Sequence, residues 1–127
     1  MIKGLKILIV EDDAIISMDI EQRVNRLGCR VTGVLDRGDK VFSNVAGERP
    51  DIVLMDINIK GDMDGVSVAE RLLEDYGLRV IYITAYSDMS MRERALKTDP
   101  LGYLVKPIRE SELIEMLEYA AGKLNGI

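Results

Sequence analysis

This sequence predicts an α/β fold built on an open, doubly wound sheet of five parallel strands with five helices on its two faces. Three observations predict it. Strand-like and helix-like stretches alternate from end to end, the pattern of repeated βα units. The central runs Ile52-Val53-Leu54-Met55 and Val80-Ile81-Tyr82-Ile83 are continuously apolar, as strands covered on both faces are. Four apolar runs stop abruptly at a polar group: Glu11-Asp12-Asp13, Asp56, Thr84 and Lys106-Pro107. Right-handed crossovers then place all four groups at one edge of the sheet.

The first strand is expected near Leu5 to Val10 and the first helix over about Asp13 to Leu27, where Ile16, Ile20, Val24 and Leu27 form one stripe. Asp12 or Asp13 can cap its start, and Gly28 suits the left-handed position after its end. A second strand spans Arg30 to Leu35. A short helix follows over Asp39 to Ala46, with Val41 and Val45 on one face and Phe42 beside them. Gly47 and Pro50 punctuate the entry to the third strand, Ile52 to Met55. A polar loop, Asn58 to Asp64, leads to a helix over Gly65 to Tyr76 with Val68, Ala69, Leu72, Leu73 and Tyr76 inward; Gly77 ends it. The fourth strand is Val80 to Thr84. The fourth helix, about Asp88 to Lys97, has only a ragged stripe of Met89, Met91, Ala95 and Leu96. Pro100 and Gly102 precede a short fifth strand, Tyr103 to Val105. The last helix, Glu110 to Leu124, carries Leu113, Ile114, Leu117, Ala120, Ala121 and Leu124 at helical spacing. Glu110 and Glu112 in its first turn complement the helix dipole.

The 127 residues suit one domain, expected to span 1–127 with no output domain. No apolar run approaches the roughly 20 residues of a membrane helix, and no signal peptide is visible. The single cysteine, Cys29, excludes an intrachain disulfide and suits a reducing cytoplasm. It reads as a small core or boundary residue. The net charge of −5, with no Lys/Arg cluster, argues against nucleic-acid binding. The absence of histidine excludes His-based general base catalysis, histidine metal sites and a phosphohistidine on this chain.

In open α/β sheets the ligand crevice lies beyond the carboxyl ends of the strands, where strand order reverses. For an order of 2-1-3-4-5, Glu11-Asp12 and Asp56 face each other there. Three carboxylates so close repel unless a cation sits among them. Mg²⁺, hard and oxygen-seeking, answers this well, although spacing alone does not separate it from Mn²⁺ or Ca²⁺. A phosphoryl group is the natural further ligand, with Lys106 as a point charge and Thr84 as a hydroxyl donor toward its oxygens. An aspartate can itself attack phosphorus to give an acyl phosphate. Asp56, which ends the most central strand, is the best candidate. Taken singly, each of these residues also has a plain role as a cap, turn residue, strand residue or loop charge; their joint occurrence at four strand ends carries the functional reading.

With those residues in view, the chain resembles the receiver (phosphoacceptor) domain of two-component response regulators over nearly its whole length. The matching motifs are Glu11-Asp12, Asp56, Met63-Asp64-Gly65, Thr84-Ala85 and Lys106-Pro107. The resemblance implies a flavodoxin-like sheet of order 2-1-3-4-5. It also implies a cytoplasmic signalling switch that assists its own phosphorylation and dephosphorylation without being a turnover enzyme. Asp56 would accept a phosphoryl group from a phosphohistidine on a sensor histidine kinase or histidine phosphotransfer protein. Mg²⁺ would be held by Glu11 (usually through water), Asp12, Asp56 and the backbone carbonyl of Asn58. Thr84, Ala85 and Lys106 would bind the phosphoryl oxygens. Thr84 and Tyr103 would form the switch that alters the surface of the fourth helix, fifth strand and fifth helix toward a downstream protein partner. Pro107 would be structural, its bond to Lys106 cis as the family tends to hold it. Three departures stand out. The loop Ile57 to Gly65 is one residue longer than the commonest form and lacks its Pro. Arg109 stands where a polar or acidic cap often starts the last helix. The output face carries no clear set of paired charges, which leaves homodimerisation open. Tyr86, two residues beyond Thr84, is expected to shield an acyl phosphate from water.

A haloacid-dehalogenase-type phosphohydrolase needs Asp-x-Asp with the second Asp as general acid, but here the motif is Asp56-Ile57-Asn58. A flavodoxin-type flavin module needs a Ser/Thr/Gly-rich phosphate loop after the first strand, where Glu11-Asp12-Asp13 would repel phosphate. A degenerate scaffold that only binds partners does not fit the intact residue set.

Overall fold

The computed structural model describes residues 2–85 and 90–124. Tyr86 and the expected start of the fourth helix at Asp88-Met89 lie outside the described residues. The elements run β1 (Lys6–Val10), α1 (Ala14–Arg26), β2 (Arg30–Leu35), a 3₁₀ turn (Gly38–Lys40), α2 (Val41–Gly47), β3 (Ile52–Asp56), α3 (Gly65–Tyr76), β4 (Val80–Thr84), α4 (Arg92–Leu96), β5 (Gly102–Val105) and α5 (Glu110–Leu124). The strands form one parallel sheet in the order β2-β1-β3-β4-β5. No helix among the described residues is long and apolar enough to cross a membrane.

The period-two alternation of side chains sorts the strands onto two cores. Ile7, Ile9, Ile52, Leu54, Ile81, Ile83 and Leu104 pack with Ile20 and Val24 of α1 and Leu113 and Leu117 of α5. Leu8, Val10, Val53, Met55, Val80 and Tyr82 pack with Val41 and Val45 of α2, Val68 and Leu72 of α3, and Ala95 of α4. All residues of β3 and β4 are buried, which is why those runs lack polar alternation. Each fully buried aliphatic chain contributes roughly 1.5–3 kcal/mol of burial, so the sheet ends are presented by a stiff scaffold.

Local chemistry sets the helix limits. The Asp13 carboxylate accepts from the N–H groups of Ile15 at 2.9 Å and Ile16 at 3.2 Å, so Asp13 is the cap of α1 and Asp12 is free for other work. Gly28 and Gly77 take the left-handed conformation after α1 and α3, with φ of 90° and 65°. The second helix is preceded by a 3₁₀ turn, and α4, expected to run to about Lys97, ends at Leu96. It ends there because the Thr98 hydroxyl donates to the Ala95 carbonyl at 2.6 Å and Asp99 adopts φ 51°. Leu73 and Tyr76 are half-buried rather than fully inward, and Leu124 is exposed. Cys29 is buried, and burial pushes its thiol up, away from reactivity.

Candidate functional site

The strand registers bring the predicted groups together. Val10 pairs with Met55, so Glu11 follows on one strand where Asp56 follows on its neighbour. Asp56 pairs with Ile83, Thr84 pairs with Val105, and Lys106 comes next, its N–H donating to the Thr84 carbonyl at 2.8 Å. The Lys106–Pro107 peptide bond is cis.

Carboxylate oxygens of Glu11, Asp12 and Asp56 lie within 4.8 Å of one another. Glu11 and Asp56 are only 2% and 3% exposed, which makes the cluster unlike an ordinary acidic surface. Lys106 reaches in from the other side, its Nζ 2.7 Å from Glu11 Oε1 and 3.4 Å from Asp56 Oδ2. The Asp13 N–H donates to Glu11 Oε2 at 3.0 Å, and the Asn58 N–H donates to Asp56 Oδ1 at 3.3 Å.

The electrostatics follow from one ammonium facing three carboxyls. Burial, then the neighbouring Glu11, push Asp56 up to about 7. Burial also pushes Glu11 up, but its bonds to Asp56, the Asp13 N–H and Lys106 outweigh that and hold it below the usual carboxylate range. Asp12 is raised by burial and by Glu11. Burial pulls Lys106 down, yet the two carboxylates outweigh it and keep the ammonium charged. The cluster is short of positive charge, and three converging oxygens are the donor set of a hard divalent cation. These residues fit such an ion.

The loop after Asp56 reaches sideways toward the residues that follow β2. Lys60 forms a parallel bridge with Arg37, its N–H donates to the Asp36 carbonyl at 3.2 Å, and Gly61 turns the chain at φ 99°. Gly65 closes the loop: its N–H donates to the Ile57 carbonyl at 2.7 Å, and a Cβ there would sit 2.1 Å from the Asp56 carbonyl oxygen.

The description of the matching family model is response regulator receiver domain, and the match covers residues 7–118. The chain belongs to this family. The receiver is 30% identical over 122 residues to the transcriptional regulatory protein PdtaR of Mycobacterium tuberculosis, covering 96% of this chain and 59% of that protein. It therefore spans little more than half the length of that regulator. It is 34% identical to the sporulation initiation phosphotransferase F of Bacillus subtilis, covering 85% of this chain and 86% of the other. Among solved structures it resembles the signal receiver domain of a modulated diguanylate cyclase from Desulfovibrio desulfuricans. That match has a TM-score of 0.88 and 36% identity, and covers 94% of this chain and 95% of that one.

Beside the acidic cluster lie the expected Thr84 and Tyr103, together with Tyr82, Arg92 and Thr98, which sequence reasoning passed over. Thr84 is buried, and its hydroxyl donates to the neighbouring Ala85 carbonyl at 3.1 Å. Tyr103 faces the α2–α3–α4 side, its ring stacked on Tyr82 at 5.6 Å and covered by the Arg92 guanidinium at 4.9 Å. Its hydroxyl oxygen is buried without a hydrogen-bond partner among the described residues. The Tyr82 hydroxyl, by contrast, meets Thr98 Oγ1 at 2.7 Å. Tyr82 shares its sheet face with Tyr103 by strand pairing, the signal that could have found it. The Arg92 and Thr98 contacts depend on tertiary placement and leave no local signal.

Proposed function

We propose that this receiver is a phosphorelay switch. Asp56 accepts a phosphoryl group from a phosphohistidine of a partner sensor kinase or phosphotransfer protein in the cytoplasm. The observation that carries the reading is the buried Asp56 carboxylate with Glu11 and Asp12 on one side and the Lys106 ammonium on the other. A carboxylate oxygen of Asp56 attacks phosphorus, and the bond from phosphorus to the imidazole nitrogen breaks. The nitrogen leaves with the electron pair, and an acyl phosphate remains. Glu11, Asp12, Asp56 and the Asn58 backbone carbonyl would hold Mg²⁺, which supplies charge neutralisation when bound. Lys106 neutralises charge on the transferring group, and Thr84 and the Ala85 backbone address its other oxygens.

The readout runs through Thr84 and Tyr103. Among the described residues the Thr84 hydroxyl gives up only a local carbonyl and the Tyr103 hydroxyl has no hydrogen bond to lose, so both side chains can move at small cost. A groove of about 430 Å³ between β5 and α5 is lined by Leu101, Tyr103, Leu104, Met116 and Tyr119. It changes shape when Tyr103 moves, which alters affinity for a downstream protein. The chain stores one phosphoryl group rather than turning over substrate.

The test is intact mass after incubation with acetyl phosphate and Mg²⁺. The expected result is one phosphoryl adduct, lost in Asp56→Asn and without chelator-free metal. No adduct, or an adduct that survives that substitution, would contradict the reading.

A further inference from the structure

The loop Ile57 to Asp64 carries Asn58, whose N–H holds Asp56 Oδ1, and it is fastened at three places. One fastening is to the residue after β2, Lys60 to Asp36, and a second closes the loop on itself, Gly65 at the start of α3 to Ile57. The third is to α4. Arg94 Nη1 donates to Asp64 Oδ2 at 2.8 Å, while Nη2 donates to Asp64 Oδ1 at 3.2 Å and to Ser67 Oγ at 2.8 Å. Asp64 in turn caps α3, its Oδ1 accepting from the Ser67 N–H at 2.8 Å. The planar guanidinium thus grips a carboxylate with two parallel bonds and a hydroxyl with a third, a geometry lysine cannot reproduce. Arg92, on the same five-residue helix, covers the Tyr103 ring. One short helix therefore touches both the switch tyrosine and the end of the acceptor loop.

We propose that Arg94 is a positioning residue for phosphoryl acceptance: through Asp64 it ties the acceptor loop to α4, so the order of the loop and the placement of α4 depend on each other. This rests on Asp56 being the phosphoacceptor. Because linkage is reciprocal, whatever shifts α4 changes the affinity of the loop side of the site, without passing through Thr84. The bond set is partly exposed, so the effect is moderate.

The test compares the full chain with Arg94→Ala, Arg94→Lys, Asp64→Asn and the Arg94→Ala/Asp64→Asn double variant. Asparagine retains a side-chain oxygen and caps a helix as well as aspartate does, so Asp64→Asn keeps the α3 cap and removes the ion pair. Mg²⁺ affinity of the unphosphorylated protein is read by NMR titration, adduct formation by intact mass, and folding by thermal midpoint. Arg94→Ala and Asp64→Asn are each expected to weaken Mg²⁺ binding about threefold, the scale of a well-formed partly exposed ion pair. The double variant should match either single one, and Arg94→Lys should lie between them and the parent. Unchanged Mg²⁺ affinity in Arg94→Ala, or additive losses in the double variant, would overturn the tie. So would a loss of Mg²⁺ affinity explained entirely by a lowered thermal midpoint. Failure of the parent chain to form any adduct would instead strike the phosphoacceptor reading itself.

Discussion

The β1–β3 end of the sheet and the β4–β5 flank beside it are held by opposite means. At the first, Glu11 and Asp56 are almost fully buried and, among the described residues, a single ammonium reaches both, so charge is concentrated and short of compensation. At the second, two tyrosines stack, an arginine covers one ring, and the polar atoms are hydroxyls. A region under electrostatic stress responds strongly to one added charge or metal ion. A region packed by aromatic rings responds by moving side chains. The two tyrosines repeat the contrast on a smaller scale: Tyr82 is fully buried with its hydroxyl bonded to Thr98, while the Tyr103 hydroxyl is buried without a hydrogen-bond partner among the described residues. Among the described residues one hydroxyl is held and the other is not.

That contrast can be broken first at its charged end. Lys106→Met removes the ammonium that lies 3.4 Å from Asp56, and phosphoryl acceptance from acetyl phosphate should fall by roughly 10²–10³, the cost of losing a donor aimed at developing charge. A rate within a factor of two of the parent would show that Lys106 is a bystander. Next in size is Gly65→Ala. Its Cβ would meet the Asp56 carbonyl oxygen and the Ile57 backbone, and backbone cannot give way as a flexible side chain does. Destabilisation of about 1–3 kcal/mol, read from urea unfolding, is expected for such overpacking.

Metal addition sharpens the comparison through pH. Burial and Glu11 push Asp56 up to about 7, so a proton competes with any cation for the cluster increasingly as pH falls through that value. The rise in thermal midpoint on adding Mg²⁺ should therefore be larger at pH 8 than at pH 6. Mg²⁺ binds the folded cluster selectively, so its stabilisation follows affinity. Equal shifts at the two pH values would argue that the cation does not meet Asp56. The smallest effects lie in the aromatic flank. Tyr82→Phe should cost about 1 kcal/mol for one buried hydroxyl bond, whereas Tyr103→Phe should be neutral or slightly stabilising, since among the described residues its buried hydroxyl has no partner. Paired denaturant curves decide this, and equal losses in both would erase the distinction between the two tyrosines.

The same division describes what could be read from the chain. The sheet was legible because its signals are local: continuous apolar runs for β3 and β4, a four-four-three stripe for α1, and glycine after α1 and α3. The acidic cluster was legible because parallel topology brings strand ends to one edge. Which of Asp12 and Asp13 caps α1 was not, because adjacent aspartates offer the same chemistry and only backbone geometry chooses Asp13. The limits of α4 were obscured because Thr98 turns its hydroxyl back onto the helix. The Arg94–Asp64 fork joins residues 30 apart in sequence, and no periodicity marks it.

The most direct measurement is the chemical identity of the phosphorylated residue. The chain is phosphorylated with acetyl phosphate and Mg²⁺ and then reduced with borohydride, which converts an aspartyl phosphate to homoserine. Peptide mass mapping should then find homoserine at position 56 and nowhere else. Conversion at position 12 or 13, or none at 56 despite a phosphoryl adduct on the intact protein, would contradict the account.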